Sequence, residues 1–395
     1  MSRKHVIRNI GLLLSGDIGN PILDADTLVV EDGIISQIGA QSDCDCEQAD
    51  LVIDACGLAV APGLIDGHVH PTFGEYAPRA GHSHWISHCL QGGVTTMVSA
   101  GEVHVPGRPV DPVGTMALAI AAQRSFSLAR PGGAKVIAGA PLLTEGLTRD
   151  NFAEMANAGI RLLGEVGIGT VSDVKIAKQM VAWARENGIQ SLTHTGGPSI
   201  PGSRLMQCEE ILEIDPDIIG HINGGHTALP RPQICRLCEE SDRALELVHN
   251  GNEAAALHVL RIVREHGSLA RVVLGTDSPS GSGVLSLGMP RLVCFISSIG
   301  EVPPEQAICL ATGNTARVRN LNTGLVEVGR EADLLLLSKP LGGDGTHVLD
   351  SIRLGDLPSI AMVLVDGEIL VHPSPNTPPA ERLPKIQFSN NHQRI

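Results

Sequence analysis

Eight apolar runs between residues 63 and 279 limit the fold more than any other feature of the chain: GLIDGHVH, TTMVSAG, KVIAGAPLL, IRLLGEVGIG, QSLTHTGG, DIIGHINGG, RALELVHNG and RVVLGTDSP. Most close on glycine or polar residues, and each is followed by a loop and a helix-like stretch such as SDVKIAKQMVAWARENG. Strands of a parallel sheet are buried on both faces, so they read as near-continuous apolar runs and not as alternations. Eight βα units of this length predict an α/β fold, a (β/α)8 TIM-type barrel whose site gathers at the C-terminal ends of its strands. Aromatic residues make up only 2% of the chain, so the core must be built from Val, Ile, Leu and Ala, the residues that fill such barrels.

The two ends of the chain have a different character. HVIRNIGLLL, TLVVEDGIISQIG and DLVIDACGLAVAPG near the start, and EADLLLLSKP and SIAMVLVDGEILV near the end, are short strand-like runs, two of them broken by Asp-Gly hairpin signals. Two β segments flanking a long α/β middle predict one small β-sandwich domain built from both termini. The expected organisation is residues 1–60 plus 325–385 as the composite β-sandwich, 61–324 as the barrel and 386–395 as a polar tail.

If the barrel reading holds, residues that share one site recur at multiples of a βα unit, on the order of 25 to 35 residues. Glu165 to His194 is 29 residues and His194 to His221 is 27. His221 to Asp277 is 56, two units, and His68 to Glu165 is 97, three units. His68, His70, Glu165, His194, His221 and Asp277 therefore fall on strands 1, 1, 4, 5, 6 and 8, all at one end. On an extended strand residues two apart share a face, so His68 and His70 can grip one ion. Four imidazoles and two carboxylates suit borderline metals such as zinc and iron, not magnesium or calcium with their all-oxygen shells. Six ligands exceed what one tetrahedral zinc needs, which favours two metals sharing a carboxylate. A lone histidine at a strand end is most often a hydrogen-bonded structural residue, and the joint alignment of all six is what argues otherwise.

A formal net charge of −14 argues against nucleic acid and anionic membranes as partners. A small molecule or further copies of the chain remain. Nine cysteines at irregular spacings, with no signal peptide and no long apolar run, fit a reduced cytoplasmic enzyme. Cys235 and Cys238 form a CxxC without a second pair and read as thiols on a helix. The second HxH, His82 and His84, leads into the helical WISHCLQGG, where residues two apart do not share a face.

PGLIDGHVH, LGTDSPSG, GLVEVGREADLLLL and VDGE, with single ligands on later strands, resemble the amidohydrolase superfamily over about residues 3 to 384. Within it, EYAPR, QGGVTTM, VPGRP, GEVGIGT, HTGGPSIPGS, GHINGG, ATGN and NTPPA resemble the enamidases. The resemblance implies a zinc-type metal (zinc again, or iron, at the second position) on His68, His70 and Asp277, with the iron-type metal on His194 and His221. It implies that Glu165 bridges the two where many members use a carboxylated lysine; Lys135, the nearest upstream, begins the third strand at the wrong end. It further implies a metal-bridging hydroxide as nucleophile, Asp277 as proton shuttle, and a homotetramer. The implied substrate is a small cyclic amide carrying a carboxylate, 6-oxo-1,4,5,6-tetrahydronicotinate, opened to 2-formylglutarate and ammonia.

A substrate carboxylate needs a clamp, and Arg79, Arg108 and Arg204 all lie in loops after strands. Surface solvation is the competing reading for each. Tyr76, in the loop after the first strand, is a reasonable contact. His226 stands where the enamidases lead one to expect proline, and His104 follows the second strand; both are candidate contacts. Other cyclic-amide hydrolases of the dihydroorotase or hydantoinase kind, a ring deaminase, and a non-catalytic assembly protein of the same fold are the alternatives. Deaminases generally work with one metal, and an assembly protein is expected to have lost ligands.

Overall fold

The computed structural model describes residues 3–71, 84–105, 107–198, 203–280 and 283–388. Seven regular parallel strands of the barrel are Leu64–Val69, Val94–Ser99, Lys135–Ile137, Leu192–Thr193, Ile218–Ile219, Ala244–Val248 and Val272–Gly275. The first three form one hydrogen-bonded sheet and the last four another. The fourth run, IRLLGEVGIG, forms no regular strand. It closes the gap through parallel bridges Leu162–Gln190 and Val166–Thr193 on one side and a Gly164 N–H to Pro141 carbonyl bond of 3.0 Å on the other. Val69 pairs in parallel with Ser278, which joins the eighth strand to the first and completes the ring.

The barrel strands are buried along their whole length, apart from a half-buried Ile137, as continuous apolar runs require. Gly275 has a steric reason: a Cβ there would lie 2.5 Å from the Cβ of His68. Any side chain at that position would displace the imidazole, so the first and eighth strands approach this closely only over glycine. The helices around the barrel follow from local chemistry. Val174–Glu186 starts on Asp173, whose carboxylate accepts from the amides of Lys175 and Ile176, and buries Ala177, Met180, Val181 and Ala184. That i, i+3, i+4, i+7 stripe is the apolar face of an amphipathic helix. Asn252 caps Glu253–Glu265 in the same way, accepting from Ala255 N.

The termini build two sheets. One has five strands, in spatial order Lys385–Phe388, Leu51–Asp54, Lys4–Arg8, Thr27–Glu31 and Ile34–Gly39. The other has six and sets the N-terminal strands Leu12–Leu14 and Ala59–Pro62 beside the C-terminal strands Leu334–Ser338 and Ser359–Val365, joined where Ala59–Pro62 pairs with Leu334–Ser338. Ile7, Leu28 and Ile35 of the first sheet share one apolar core with Leu13, Val60, Leu336 and Leu364 of the second, which makes the pair a sandwich. Residues 385–388 fall partly in the stretch expected to be a polar tail from 386. They instead pair antiparallel with Leu51–Asp54, because KIQF at an open sheet edge satisfies backbone groups that would otherwise face solvent. Among the described residues no helix is long and apolar enough to cross a membrane.

Candidate active site and metal centre

All six histidine and acidic residues singled out by spacing lie together at the C-terminal ends of the barrel strands. His68 is next to last in the first strand and His70 follows it; His194 follows the fifth, His221 the sixth and Asp277 the eighth. Glu165 sits in the irregular fourth run. His221 and Asp277 have φ of +26° and +59°, backbone conformations that L residues rarely adopt. Such strain persists only where the surrounding structure fixes it, and it clusters at functional sites. Two triads result, His68–His70–Asp277 and Glu165–His194–His221, each with ligand atoms within 4.8 Å of one another.

Glu165 lies between the triads. Its Oε1 is 2.6 Å from His221 Nε2, 3.5 Å from His194 Nδ1 and 3.8 Å from His68 Nε2, while Oε2 is 3.6 Å from His70 Nε2. Asp277 Oδ1 is 3.2 Å from His70 Nε2 and 3.7 Å from His68 Nε2.

The outer ring nitrogens decide what the inner ones can do. His68 Nδ1 donates to Glu246 Oε2 at 2.6 Å, His70 Nδ1 to the Gly101 carbonyl at 3.0 Å, and His194 Nε2 to the Gly197 carbonyl at 2.9 Å. Carboxylates and carbonyls only accept, so in each neutral ring the proton is on the outer nitrogen and the inner one presents a lone pair. Three lone pairs then face two carboxylates in a buried space, and His68 Nε2 and His194 Nδ1 have no hydrogen bond. Electron-rich atoms packed this way need positive charge between them, supplied by protons or by metal ions. Without an ion the rings take the protons themselves. Burial disfavours the charged form of His68, yet Glu246, Glu165 and Asp277 raise its pKa to about 10. Burial pushes the Glu165 carboxyl up, but His194 and His221 outweigh it and hold it well below the usual range. His70, His68 and His221 likewise hold Asp277 low against burial. The donor set of imidazole nitrogen and carboxylate oxygen fits zinc or iron.

The cleft above these residues is lined by Val103, His104, Ile168, Gly225, His226, Asn250 and Ser280. His104 sits edge-on to His70 with ring centroids 5.7 Å apart, and its Nε2 donates to the Pro279 carbonyl at 2.7 Å. His226 is exposed at the rim. Arg108 is half-buried and lines a separate recess with Glu102 and Thr115. Arg204 does not line the cleft; its Nη1 is 2.5 Å from Glu210 at the start of helix Cys208–Ile214. Tyr76 and Arg79 lie outside the described residues, as does His82; His84 occupies the N-cap position of helix Trp85–Gln91 without a side-chain capping bond and is exposed. Lys135 is far from the triads in role and place: at the N-terminal end of the third strand, its Nζ is held by Glu331, Asp333 and Asp366. Cys235 and Cys238 lie on helix Arg231–Glu240, and none of the nine cysteines is in a disulfide.

Three buried acids of the barrel escape the spacing argument. Asp66 accepts from Thr276 N and Oγ1 at 2.8 and 2.6 Å, tying the first strand to the eighth; burial pushes it up to about 6. Glu102 accepts from Gly139 N at 3.1 Å and Ser99 Oγ at 3.4 Å, and burial pushes it up to about 7. Glu246, in the seventh strand, stands behind His68 and also accepts from the His221 amide at 3.3 Å. An acid inside an apolar run was the available signal in ALELV.

Residues 227–370 match the amidohydrolase family model. The enamidase of Eubacterium barkeri is 47% identical over 383 residues, covering 97% of this chain and 99% of that protein. A crystal structure of enamidase, described as a new member of the amidohydrolase superfamily, superposes with a TM-score of 0.94 over 97% of this chain and 100% of its own. The imidazolonepropionase of Mycolicibacterium smegmatis is 24% identical over 92% of this chain and 97% of its own.

Proposed function

Since this chain belongs to the amidohydrolase family, we propose that it hydrolyses the carbon–nitrogen bond of a small cyclic amide, with two divalent ions held by the two triads. The observation that carries this reading is the set of inward lone pairs of His68, His70 and His194 facing Glu165 and Asp277. His68, His70 and Asp277 would hold one ion, read as zinc, and His194 and His221 the other, read as iron or a second zinc, with Glu165 as the carboxylate that both would share. Bound ions there supply a Lewis acid for a carbonyl oxygen and lower the pKa of an attacking water from about 15.7 towards about 7.

The chain's own residues do the rest. Asp277, kept ionised by the imidazoles around it, takes a proton from the attacking water and passes it to the ring nitrogen as the amide bond breaks. Asn250 Nδ2 donates to the Asp277 carbonyl at 2.9 Å and to Ser280 Oγ at 3.0 Å, which fixes the loop that carries the shuttle. His104 and His226 stand at the cleft where the rest of the substrate enters.

The enamide reading of the substrate is 6-oxo-1,4,5,6-tetrahydronicotinate. One water opens the ring to an enamine, and after tautomerisation a second releases ammonia, leaving 2-formylglutarate. A reducing cytoplasmic setting and assembly into a tetramer complete the proposal, the tetramer by resemblance to the enamidases.

Elemental analysis of the purified protein, with an assay that follows the ultraviolet absorbance of that substrate, tests the reading. Two ions per chain and turnover are expected; two ions with no turnover reject the substrate but keep the centre. Asp277→Asn should lower turnover about 10²–10⁴-fold, and an unchanged rate removes the shuttle.

A further inference from the structure

Glu246 is fully buried in the middle of the seventh strand, inside the barrel and behind the site. Its Oε2 accepts from His68 Nδ1 at 2.6 Å. Its Oε1 is 3.3 Å from Nη2 of Arg319, which ends the short helix Thr315–Arg319 and has a side chain 1% exposed. The same Nη2 donates to the Gly67 carbonyl at 2.6 Å, and Nη1 donates to Gln190 Oε1 at 3.2 Å. The guanidinium is thus fixed to the strand that carries His68 as well as to Glu246.

The other rings have weaker support. Behind His70 and His194 are neutral backbone carbonyls, and His221 Nδ1 is buried with no hydrogen bond. A carboxylate behind an imidazole fixes its tautomer and makes the opposite nitrogen a stronger donor. A buried carboxylate performs this role only if its own charge is compensated, and Arg319 provides the compensation.

We propose that Glu246, held by Arg319, is a positioning residue for His68 and determines how tightly the His68–His70–Asp277 triad keeps its ion. This rests on the two-ion reading. A purely structural role for the Glu246–Arg319 pair predicts general loosening and no preference between triads.

The test uses release of ions to a chromogenic chelator from the zinc-loaded full chain, with ions per chain counted beforehand. Glu246→Gln keeps an acceptor for His68 Nδ1 and removes the charge. One ion should then leave about 10–100-fold faster than in the parent protein, and the other at the parent rate. His194→Ala weakens the second triad and leaves one ion; adding Glu246→Gln to it should accelerate that ion by the same factor. Equal acceleration of both ions, or release of both at the parent rate, overturns the proposal. If Glu246→Gln does not fold, Glu246→Gln with Arg319→Met removes both buried charges together and should show the same selective release. Failure of that pair to fold shows that the charges serve the barrel and not the ion, which also overturns it. A parent protein that holds fewer than two ions instead sinks the two-ion reading itself.

Discussion

Replacing Lys135 with Met separates the stability of this molecule from its chemistry. Lys135 Nζ lies 2.6 Å from Glu331, 2.7 Å from Asp366 and 2.8 Å from Asp333, with its side chain 10% exposed. Asp333 is the partner that matters, because its side chain is fully buried while Glu331 and Asp366 are each about one-third exposed. After the substitution Asp333 keeps the Thr323 hydroxyl at 2.9 Å and the Asp366 amide at 2.8 Å but loses its cation. One-sided removal of a buried ion pair costs about 3–5 kcal/mol, whereas the two exposed acids can turn to solvent at little cost. Burial already holds the Asp333 carboxyl above its ordinary value despite Lys135. A carboxyl raised on folding binds more protons folded than unfolded, so its contribution declines as pH rises from the unfolded value through the folded one. The deficit of Lys135→Met should therefore be smaller at pH 5 than at pH 8. Chaotrope unfolding at both pH values measures it, and Asp333→Asn in the Met background should recover at least half. Because Lys135 begins its strand while the triads lie at the opposite strand ends, ion content and turnover should not change. A loss under about 1 kcal/mol at pH 8, or loss of an ion, refutes the reasoning.

Glu165→Gln removes the charge that both triads share, and elemental analysis should find no more than one ion per chain; two at full occupancy would take Glu165 out of the bridging position. Glu102 is buried and its carboxyl is raised from 4.5 to about 7, so the parent should lose about 3 kcal/mol of stability from this group as pH rises across that window. Glu102→Gln keeps an acceptor for Gly139 N and should flatten that part of the profile, making the variant the more stable form at pH 8.5 relative to pH 5; parallel pH profiles would show that Glu102 does not titrate there.

The barrel and the six residues gathered at its strand ends were legible because βα units put a strand end about every 30 residues, and a residue at a strand end keeps that period. The fourth run shows where periodicity stops being enough. Gly167 and Gly169, with φ of +108° and +153°, take its backbone out of regular strand geometry, and it is held by isolated bridges and by the Glu165 amide donating to the Ala100 carbonyl at 3.0 Å. The loop arginines looked alike in sequence because each could be solvated, paired or ligand-binding. Arg204 is distinguished by an acid six residues on, and only the turn before Cys208–Ile214 brings the two together. Glu246 is the more instructive case. An acid buried within an apolar strand needs a positive partner, in ALELV as much as in the run that carries Glu165, but the recurrence of strand ends picks out only residues at those ends and passes over a mid-strand position. Its partner Arg319 comes from beyond the eighth strand and reaches back 73 residues, a contact that no local pattern encodes. Periodicity therefore finds groups that face the cleft, and unsatisfied buried charge finds the groups that stand behind them.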